Sequence, residues 1–351
     1  MEEDVEELAL PPIRRLLLIK PSSLGDIVHT LPTFEALRRR FSDAEFSWMV
    51  KAEWADMLRR VDGLDRIWPV EPSLADWMTQ IGRLRAHAFD LVIDLQGLFR
   101  SGAAAWLTGC GFRVGFANAR EGSPLCYTHR ITVPTPEMHA VDRYLLVARA
   151  LGCSVSLPVF CLAPLAEDRR IVHTLLAEAG VPENRQWVAM QVSARWPTKR
   201  WPSASFSAVA RALVEERIPV ILIGSPGDRA EAEQVAEASG AVSLAGRTSL
   251  SVLPALLQEA ACLVTNDSGP MHVAAAMSTP VVAIFGPTSA VRTGPYGFRH
   301  RPLFLSLSCQ PCYSRTCRNP VAMECLIGIS PERVVREVRE CLVASSTTKS
   351  I

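Results

Sequence analysis

The stretch that most constrains the fold of this chain is residues 262–289, CLVTNDSGPMHVAAAMSTPVVAIFGPTS. Two short apolar runs, residues 262–265 and 281–285, enclose a polar turn at residues 266–269 and a run of small residues at 271–277. The turn carries N-cap chemistry, and a proline follows it where a first helical turn accepts one. The pattern therefore predicts a strand–turn–helix–strand unit.

The start of that helix is the first candidate binding site. Unpaired N–H groups and the positive end of the helix dipole meet there, and both favour a phosphate group. Asp267 lies beside this spot, although a carboxylate repels phosphate. Asp267 is either a plain N-cap, which its residue type favours, or a hydrogen-bond acceptor for sugar hydroxyls.

The composition indicates a globular chain of two domains. A length of 351 residues suggests two domains at roughly 150 residues each. The chain has 37 basic and 36 acidic residues, so nothing in its net charge indicates a nucleic-acid partner. Residues 1–12 are acidic where a signal peptide needs bases, and we expect a flexible cytosolic tail there. Residues 268–291 carry no charge, but their prolines and glycines favour a buried helix and strand over a membrane span.

Apolar runs and helical patterns alternate through the first half. The runs that predict strands are residues 16–20, 46–50, 66–70, 91–95 and 113–116. Helical patterns lie between them at residues 27–40, 53–60, 74–87 and 98–107. This alternation predicts parallel βαβ units, whose ligands lie beyond the carboxyl ends of the strands. The turns at residues 22–26 and 94–97 are expected at that edge.

The alternation restarts after a helical pattern at residues 139–151 and an extended segment at 153–164, which predicts domains at 13–158 and 159–345. Further elements are expected as helices at 167–179, 203–216, 228–239 and 250–260 and as strands at 187–192, 220–224 and 242–244. Two such domains in tandem are expected to face each other across a cleft. The chain has neither a P-loop nor a G-x-G-x-x-G motif, which disfavours nucleoside triphosphatases and nicotinamide dehydrogenases.

Asp26 is the candidate catalytic residue of the first half. It follows Gly25 at a strand end, where a lone carboxylate can accept a proton from a sugar hydroxyl. A helix N-cap explains Asp26 at least as well. His29 is interpreted as a packing histidine, and Gln96 either contacts a polar ligand or belongs to a strand-end turn.

Lys199 is the corresponding candidate in the second half. It lies in the loop after the first strand of that half, with Ser193, and both are expected at the same edge as Ser268. A lysine there can neutralise a leaving diphosphate, and this position favours that role over a solvated loop cation. Asp228 ends another strand and is interpreted equally as an N-cap or as a ribose acceptor.

Four of the ten cysteines lie close together in the sequence, at Cys309, Cys312, Cys317 and Cys325. The overall cysteine usage is typical of reduced cytosolic thiols. The spacing C-x2-C-x4-C-x7-C is compatible with a structural clip around zinc or another soft metal, or with disulfides under oxidising conditions. A catalytic role is not expected.

Several stretches together resemble one family, the heptosyltransferases of lipopolysaccharide core assembly, glycosyltransferase family 9. The matching stretches are residues 20–32 (KPSSLGDIVHTLP), 94–97 (DLQG), 119–121 (ARE), Lys199 before Trp201-Pro202, Asp267-Ser268-Gly269 with His272, and 285–288 (FGPT). They follow the family's order over nearly the whole chain. The first and third are more similar to the heptosyltransferase I branch than to its later-acting relative.

The resemblance implies an α/β protein of the GT-B fold, in which a first Rossmann-like domain holds the acceptor and a second holds ADP-heptose. On the donor side it implies roles for Lys199 at the phosphates with Ser193 nearby, Asp267 at the sugar, Ser268, Gly269 and His272 at the helix start, Asp228 at the ribose and Thr248 at the adenine. On the acceptor side it implies Asp26 as the general base, with Ser23, Gly25, Gln96 and Arg120 around the acceptor.

The resemblance also implies a reaction and a location. The reaction is an inverting transfer of L-glycero-D-manno-heptose from ADP-heptose to the inner Kdo of Kdo2-lipid A, with no required cofactor. The enzyme is expected to be cytoplasmic, in peripheral contact with the inner face of the cytoplasmic membrane. Two alternatives stay open: another family 9 transferase such as heptosyltransferase II, and a non-catalytic protein that binds nucleotide-sugar and uses the cysteine loop for a partner.

Overall fold

The computed structural model describes residues 7–183 and 185–348. The chain divides into two compact units between Ala163 and Pro164. The division lies later than residue 158 because the Ala163 N–H donates to the Arg60 carbonyl at 2.8 Å, which holds the connecting segment to the first unit. Of the predicted acidic tail, residues 1–6 lie outside the described range, while the Leu8 N–H donates to the Ala150 carbonyl at 2.8 Å.

The first unit is a six-stranded parallel sheet with flanking helices. Its elements are β1 (Arg15–Ile19), α1 (Leu24–Arg40), β2 (Glu45–Lys51), α2 (Ala52–Leu58), β3 (Arg66–Val70), α3 (Leu74–His87), β4 (Leu91–Asp94), α4 (Phe99–Leu107), β5 (Arg113–Phe116), β6 (His129–Ile131) and α5 (Ala140–Ala150), with a 3-10 turn at Ser123–Cys126. Residues Leu16 to Ile19 of β1 are all fully buried, so helices cover both faces of the central strand.

The second unit is built in the same way. Its elements are α6 (Ala166–Glu178), β7 (Val188–Gln191), α7 (Ser203–Glu215), β8 (Val220–Leu222), α8 (Arg229–Ser239), β9 (Val242–Ser243), α9 (Leu253–Glu259), β10 (Cys262–Asn266), α10 (Gly269–Ala276), β11 (Val281–Ile284), α11 (Ala290–Thr293), β12 (Arg301–Leu303), α12 (Glu324–Ile327) and α13 (Pro331–Thr348). The stretch at residues 262–289 contains β10, α10 and β11, as predicted.

The strand orders are β3-β2-β1-β4-β5-β6 and β12-β11-β10-β7-β8-β9, with parallel neighbours throughout. In each sheet the chain leaves its first strand in one direction and later returns to continue on the other side. This reversal lies between β1 and β4 in one unit and between β7 and β10 in the other. Ligands of such sheets bind outside the carboxyl ends of the strands at this switch point. The predicted α/β class with two Rossmann-like domains is confirmed.

Helix α1 shows how the sequence positions these edges. Its apolar residues Ile27, Leu31 and Phe34 recur every three or four positions and are fully or almost fully buried. Phe34 also meets the ring of Phe46 on β2 edge-on, with centroids 5.4 Å apart. Burial of each such side chain contributes about 1.5–3 kcal/mol. The helix is thereby fixed with its start at the carboxyl end of β1.

Two strands, β6 and β12, escaped the sequence-based prediction. Their sequences, His-Arg-Ile and Arg-Pro-Leu, contain no apolar run that predicts a strand. No helix in the described part of the chain is both long and apolar enough to cross a bilayer.

Candidate active site

The switch point of the second unit joins two residues predicted for the donor site. Gln191, at the end of β7, donates through Nε2 to the Ser193 hydroxyl at 2.8 Å. Its Oε1 accepts from the Ser268 hydroxyl, also at 2.8 Å. Ser193 and Gln191 are buried, so this amide fixes the loop after β7 against the loop after β10.

An ion pair lies beside that bridge. The Lys199 ammonium donates to Asp267 Oδ2 at 2.6 Å, and the Thr288 hydroxyl donates to the same oxygen at 2.5 Å. The N-cap interpretation of Asp267 is wrong, because α10 begins at Gly269 and its N-cap is Ser268. The carboxylate instead points to a lysine 68 positions earlier in the chain. This pair also explains how a carboxylate can lie beside a phosphate site, since the adjacent ammonium compensates its charge.

The pair stands next to the start of α10, whose first N–H groups have no partner within the helix. Asp267 is 5% exposed and the Lys199 side chain 18% exposed, so the charges interact in a partly desolvated setting. The Lys199 ammonium also lies 5.0 Å from the centre of the Trp196 ring. A cation and a helix start in this position can bind an anion of diphosphate type.

The remaining predicted donor residues lie along the same sheet edge. Asp228 stands at the N-cap position of α8, and its carboxylate accepts from the Ser225 N–H and hydroxyl at 2.8 and 2.7 Å. Thr248 is half-buried in the loop after β9. The Gly246 N–H donates to the Gly224 carbonyl at 2.8 Å, which brings these two loops together. His272 is buried within α10.

Asp26 lies at the switch point of the first unit. Ser23 is the N-cap of α1, so the N-cap interpretation of Asp26 is also wrong. Asp26 occupies the third helical position, where Oδ2 accepts from the Ser23 N–H and hydroxyl, both at 2.9 Å. This capping box explains the spacing of the two residues and holds a half-buried carboxylate at the carboxyl edge of the sheet.

The other predicted acceptor residues surround that turn. The Gln96 side chain accepts from the Ser22 N–H at 3.3 Å, which joins the loops after β4 and β1. Gly25 is buried at the start of α1. The exposed Arg120 donates through its N–H to the Gly97 carbonyl at 2.9 Å, and so borders the same loop.

Asp94 stabilises, from a buried position, the loop after β4 at the switch point of the first unit. It is fully buried, and its carboxylate accepts from the Gln96 N–H at 2.8 Å and the Tyr127 hydroxyl at 2.7 Å. Burial raises the pKa of Asp94 above its ordinary value, against these hydrogen bonds. Asp94 is therefore a turn-forming residue, and ligand contact by Gln96 stays a prediction.

A family model now identifies the chain. The model of glycosyltransferase family 9 (heptosyltransferase) matches residues 78–322, well over half of the sequence. The chain belongs to glycosyltransferase family 9. The match includes Gln96, Lys199 and Asp267, whereas Asp26 precedes it.

Individual relatives of this family 9 transferase cover nearly its full length. Lipopolysaccharide heptosyltransferase 1 of Pseudomonas aeruginosa is 29% identical and aligns over 95% of this chain and 100% of its own. Lipopolysaccharide heptosyltransferase 2 of Salmonella typhimurium is 27% identical, over 93% and 98%. Among solved structures, the family 9 transferase of Veillonella parvula has a TM-score of 0.83 at 21% identity, over 94% and 97% of the two chains. Heptosyltransferase II of E. coli has a TM-score of 0.78 at 23% identity, over 95% and 99%. These structures share the GT-B fold with this chain.

One buried cation in the family 9 transferase was not selected from the sequence. Lys20 follows β1, is 3% exposed and donates to the Leu95 carbonyl at 2.9 Å. Burial opposes its charge, but Tyr144, Asp26 and Asp94 together raise the pKa of Lys20 above its ordinary value. The only sequence signal was its place at the head of the motif at residues 20–32, because a lysine at a strand end otherwise suggests a solvated residue.

We expect Lys20→Met to destabilise the first unit by about 3 kcal/mol, since it leaves neighbouring carboxylates without their buried counter-charge. The measurement is the free energy of unfolding in urea, followed by fluorescence. The matched control is Lys51→Met, because the Lys51 side chain is 40% exposed in a 3.7 Å pair and such pairs contribute about 0–1 kcal/mol. An equal loss of unfolding free energy in both variants would show that the buried charge of Lys20 does not stabilise the first unit.

The predicted metal clip at the cysteine-rich loop is not supported. All ten cysteines are free thiols, and Cys309, Cys312 and Cys317 are exposed while Cys325 is half-buried. Within residues 7–183 and 185–348, no group of three or more His, Cys, Asp or Glu side chains is arranged to hold a metal ion. The alternative of disulfides, which applied to oxidising conditions, is not what the structure has, and the thiols are free as the overall cysteine usage predicts.

Other contacts hold this loop in place. The Gln310 amide donates to the Gly286 carbonyl at 2.6 Å, and the Thr198 hydroxyl donates to the Ser314 carbonyl at 2.8 Å. These hydrogen bonds hold the cysteine-rich loop against Thr198, the residue before Lys199, and against Gly286, in the turn that includes Thr288. Two hydrogen bonds from side chains to main-chain carbonyls therefore hold the loop that contains the four cysteines.

We expect Cys317 to be the first thiol alkylated at neutral pH. N–H groups of Met323, at 3.2 Å, and Asn319 lower the pKa of this exposed thiol, and the thiolate is the reactive form. Burial raises the pKa of Cys153 and Cys161, each to about 12, so these should react slowly. Peptide mapping by mass spectrometry after brief iodoacetamide treatment measures the order, and earlier labelling of Cys153 would contradict it.

Proposed function

We propose that this family 9 transferase moves L-glycero-D-manno-heptose from ADP-heptose to the inner Kdo of Kdo2-lipid A, with inversion at the anomeric carbon, during assembly of the lipopolysaccharide core. The observation that carries the proposal is the Lys199–Asp267 pair beside the start of α10, at the switch point of the second sheet. The relatives named lipopolysaccharide heptosyltransferase support the sugar and the pathway.

In this proposal the second unit binds the donor. The Lys199 ammonium and the first N–H groups of α10 take the diphosphate, where the departing ADP gains negative charge. As Lys199 turns to the phosphates, Asp267 becomes an acceptor for hydroxyls of the heptose. Asp228 and Thr248 lie farther along the same edge and are assigned to the ribose and the adenine.

The first unit supplies the base. The acceptor hydroxyl attacks the anomeric carbon while the bond from that carbon to the diphosphate oxygen breaks, and the hydroxyl proton passes to the Asp26 carboxylate. The proton is taken only as the new bond forms, so a carboxylate of ordinary basicity suffices. Gln96 and Arg120 border the same turn and are assigned to the acceptor.

The choice between heptosyltransferases I and II rests on finer evidence. Residues 20–32 and 119–121 are more similar to the heptosyltransferase I branch, which favours the inner Kdo as acceptor. Relatives of both kinds match at similar identity, 29% and 27%, so heptosyltransferase II is the second candidate. Parallel incubations with Kdo2-lipid A and with its mono-heptosylated form discriminate between them: the proposal expects transfer to the first, and transfer to the second alone would assign the other activity.

The donor can be tested without an acceptor. We expect ADP-heptose to raise Tm, because a ligand at a hundredfold of its Kd stabilises the folded state by about 2.7 kcal/mol. UDP-sugars at equal concentration should raise Tm far less, and Lys199→Ala should lose most of the ADP-heptose shift. A larger shift with a UDP-sugar would contradict the donor assignment.

With a lipid-linked acceptor, the enzyme is expected at the inner face of the cytoplasmic membrane. Binding of donor without any transfer to either acceptor would instead favour a non-catalytic nucleotide-sugar-binding protein.

A further inference from the structure

Helices α3 and α4 cover the same face of the first sheet. Their inward side chains, among them Trp77, Ile81 and Ala105, share one apolar core with Leu17 and Ile19 of β1. The Arg100 guanidinium of α4 lies 5.2 Å from the centre of the Trp77 ring of α3. The two helices are therefore neighbours, and we call their outward sides together the α3/α4 face.

This face exposes large apolar side chains. Leu74 and Met78 on α3 and Phe99 and Trp106 on α4 are between 53% and 73% exposed. Leu125, in the 3-10 turn that contacts α4, is 82% exposed. Single exposed apolar residues are common, but five on two neighbouring helices and the turn beside them are a group of the kind that marks a surface that binds a partner.

The charged residues within the two helices are mainly basic, although Glu121, outside them, accepts the Phe99 N–H at 3.1 Å. Arg83, Arg85 and Arg100 are all exposed. The acid within these two helices is Asp76, whose carboxylate turns back to accept the Glu71 N–H at 2.7 Å. Exposed aromatic and aliphatic side chains among arginines suit the interface of a bilayer that carries anionic lipids.

We propose that the α3/α4 face docks on the surface of an anionic lipid bilayer. The choice of a bilayer as the occupant rests on the lipid-linked acceptor proposed above. A second copy of the chain fits less well, because a two-fold contact through this face would set the arginines of one copy against those of the other. Helices α3 and α4 both begin at the carboxyl edge of the sheet, where Asp26 and Gln96 lie, so a bilayer on this face would bring the acceptor's anchor to that edge.

The test is flotation with vesicles of phosphatidylcholine, with or without phosphatidylglycerol, in the absence of substrates. We expect the protein to bind the anionic vesicles, and we expect the pair of substitutions Met78→Glu and Trp106→Glu to weaken that binding roughly tenfold or more. Arg83→Gln and Arg85→Gln should each weaken it about fivefold. Phe298→Glu is the matched control, because Phe298 is 92% exposed but lies in the second unit, and it should bind as the unmodified protein does.

Two results would overturn the proposal. One is unchanged vesicle binding by the variant with both Met78→Glu and Trp106→Glu. The other is a dimer, detected by sedimentation, that Trp106→Glu dissociates, because it would assign the face to a second copy. Transfer to an acceptor stripped of its acyl chains separates this proposal from the proposed function. A variant that no longer binds vesicles but still glycosylates the stripped acceptor supports the docking role. Failure of the unmodified protein to glycosylate either acceptor contradicts the function, whatever the vesicles show.

Discussion

Replacing the Asp26 carboxylate by an amide, Asp26→Asn, should lower kcat by about 10²–10⁴-fold, the range typical of general base catalysis. The amide keeps the size of the side chain and can still accept the hydrogen bond from the Ser23 N–H, which in the native chain is 2.9 Å. It cannot take a proton. The affinity for ADP-heptose should stay nearly unchanged, because the residues that we assign to the donor lie in the second unit. Steady-state kinetics and donor titration measure both quantities.

The matched control for Asp26→Asn is Asp76→Asn. Asp76 is also a half-buried aspartate at the third position of a helix, and it accepts a main-chain N–H near its N-cap, Ser73. With acceptor presented in detergent, Asp76→Asn should leave kcat within about twofold, since such capping bonds contribute stability of only about 0.5–2 kcal/mol. An unaltered kcat in Asp26→Asn would remove Asp26 from the role of base.

The second large effect is expected from Lys199→Ala. Loss of a group that stabilises developing negative charge costs about 10²–10³-fold in kcat. The KM for ADP-heptose should rise as well, because Lys199 is assigned to the diphosphate already bound in the ground state. Arg195→Ala is the control, since Arg195 is an exposed cation of the same loop. If Lys199→Ala changed neither parameter more than Arg195→Ala, Lys199 would be a solvated loop residue.

Combining Lys199→Ala with Asp267→Asn tests the charge arrangement at the proposed diphosphate site. Lys199→Ala leaves the Asp267 carboxylate, 5% exposed, without its ammonium partner and next to the diphosphate. Adding Asp267→Asn removes that repulsion, so the double variant should bind ADP more tightly than Lys199→Ala does. Calorimetry with ADP, which lacks the sugar that Asp267 is assigned to hold, isolates the phosphate effect. Equal or weaker binding by the double variant would contradict the proposed arrangement.

Periodicity predicted most of the helices and strands because their apolar spacing records which side faces a sheet. Helix α3, for example, has the predicted bounds, and its buried Trp77, Ile81 and Leu84 recur every three or four positions. The strands β6 and β12 were beyond this method, since His129–Ile131 and Arg301–Leu303 contain no apolar run. Strand ends also predicted where Asp26, Lys199 and Ser268 lie, because parallel strands carry their loops to one edge.

Contacts between distant residues could not be predicted in the same way. Asp267 has the residue type of an N-cap, and only the folded chain shows that Lys199 and Thr288 bind its carboxylate. Lys20 was overlooked because its burial depends on Leu95 and on Tyr144 of α5, far away in sequence. The cysteine spacing suggested a metal clip, but spacing does not determine how a loop bends.

Mass spectrometry of Kdo2-lipid A after incubation with ADP-heptose and the purified protein tests the proposed transfer directly. We expect an added heptosyl residue on the inner Kdo, formed by the unmodified chain and strongly reduced in both Asp26→Asn and Lys199→Ala. Unmodified Kdo2-lipid A after incubation with a folded protein that binds ADP-heptose, or full product from the Asp26→Asn variant, would contradict it.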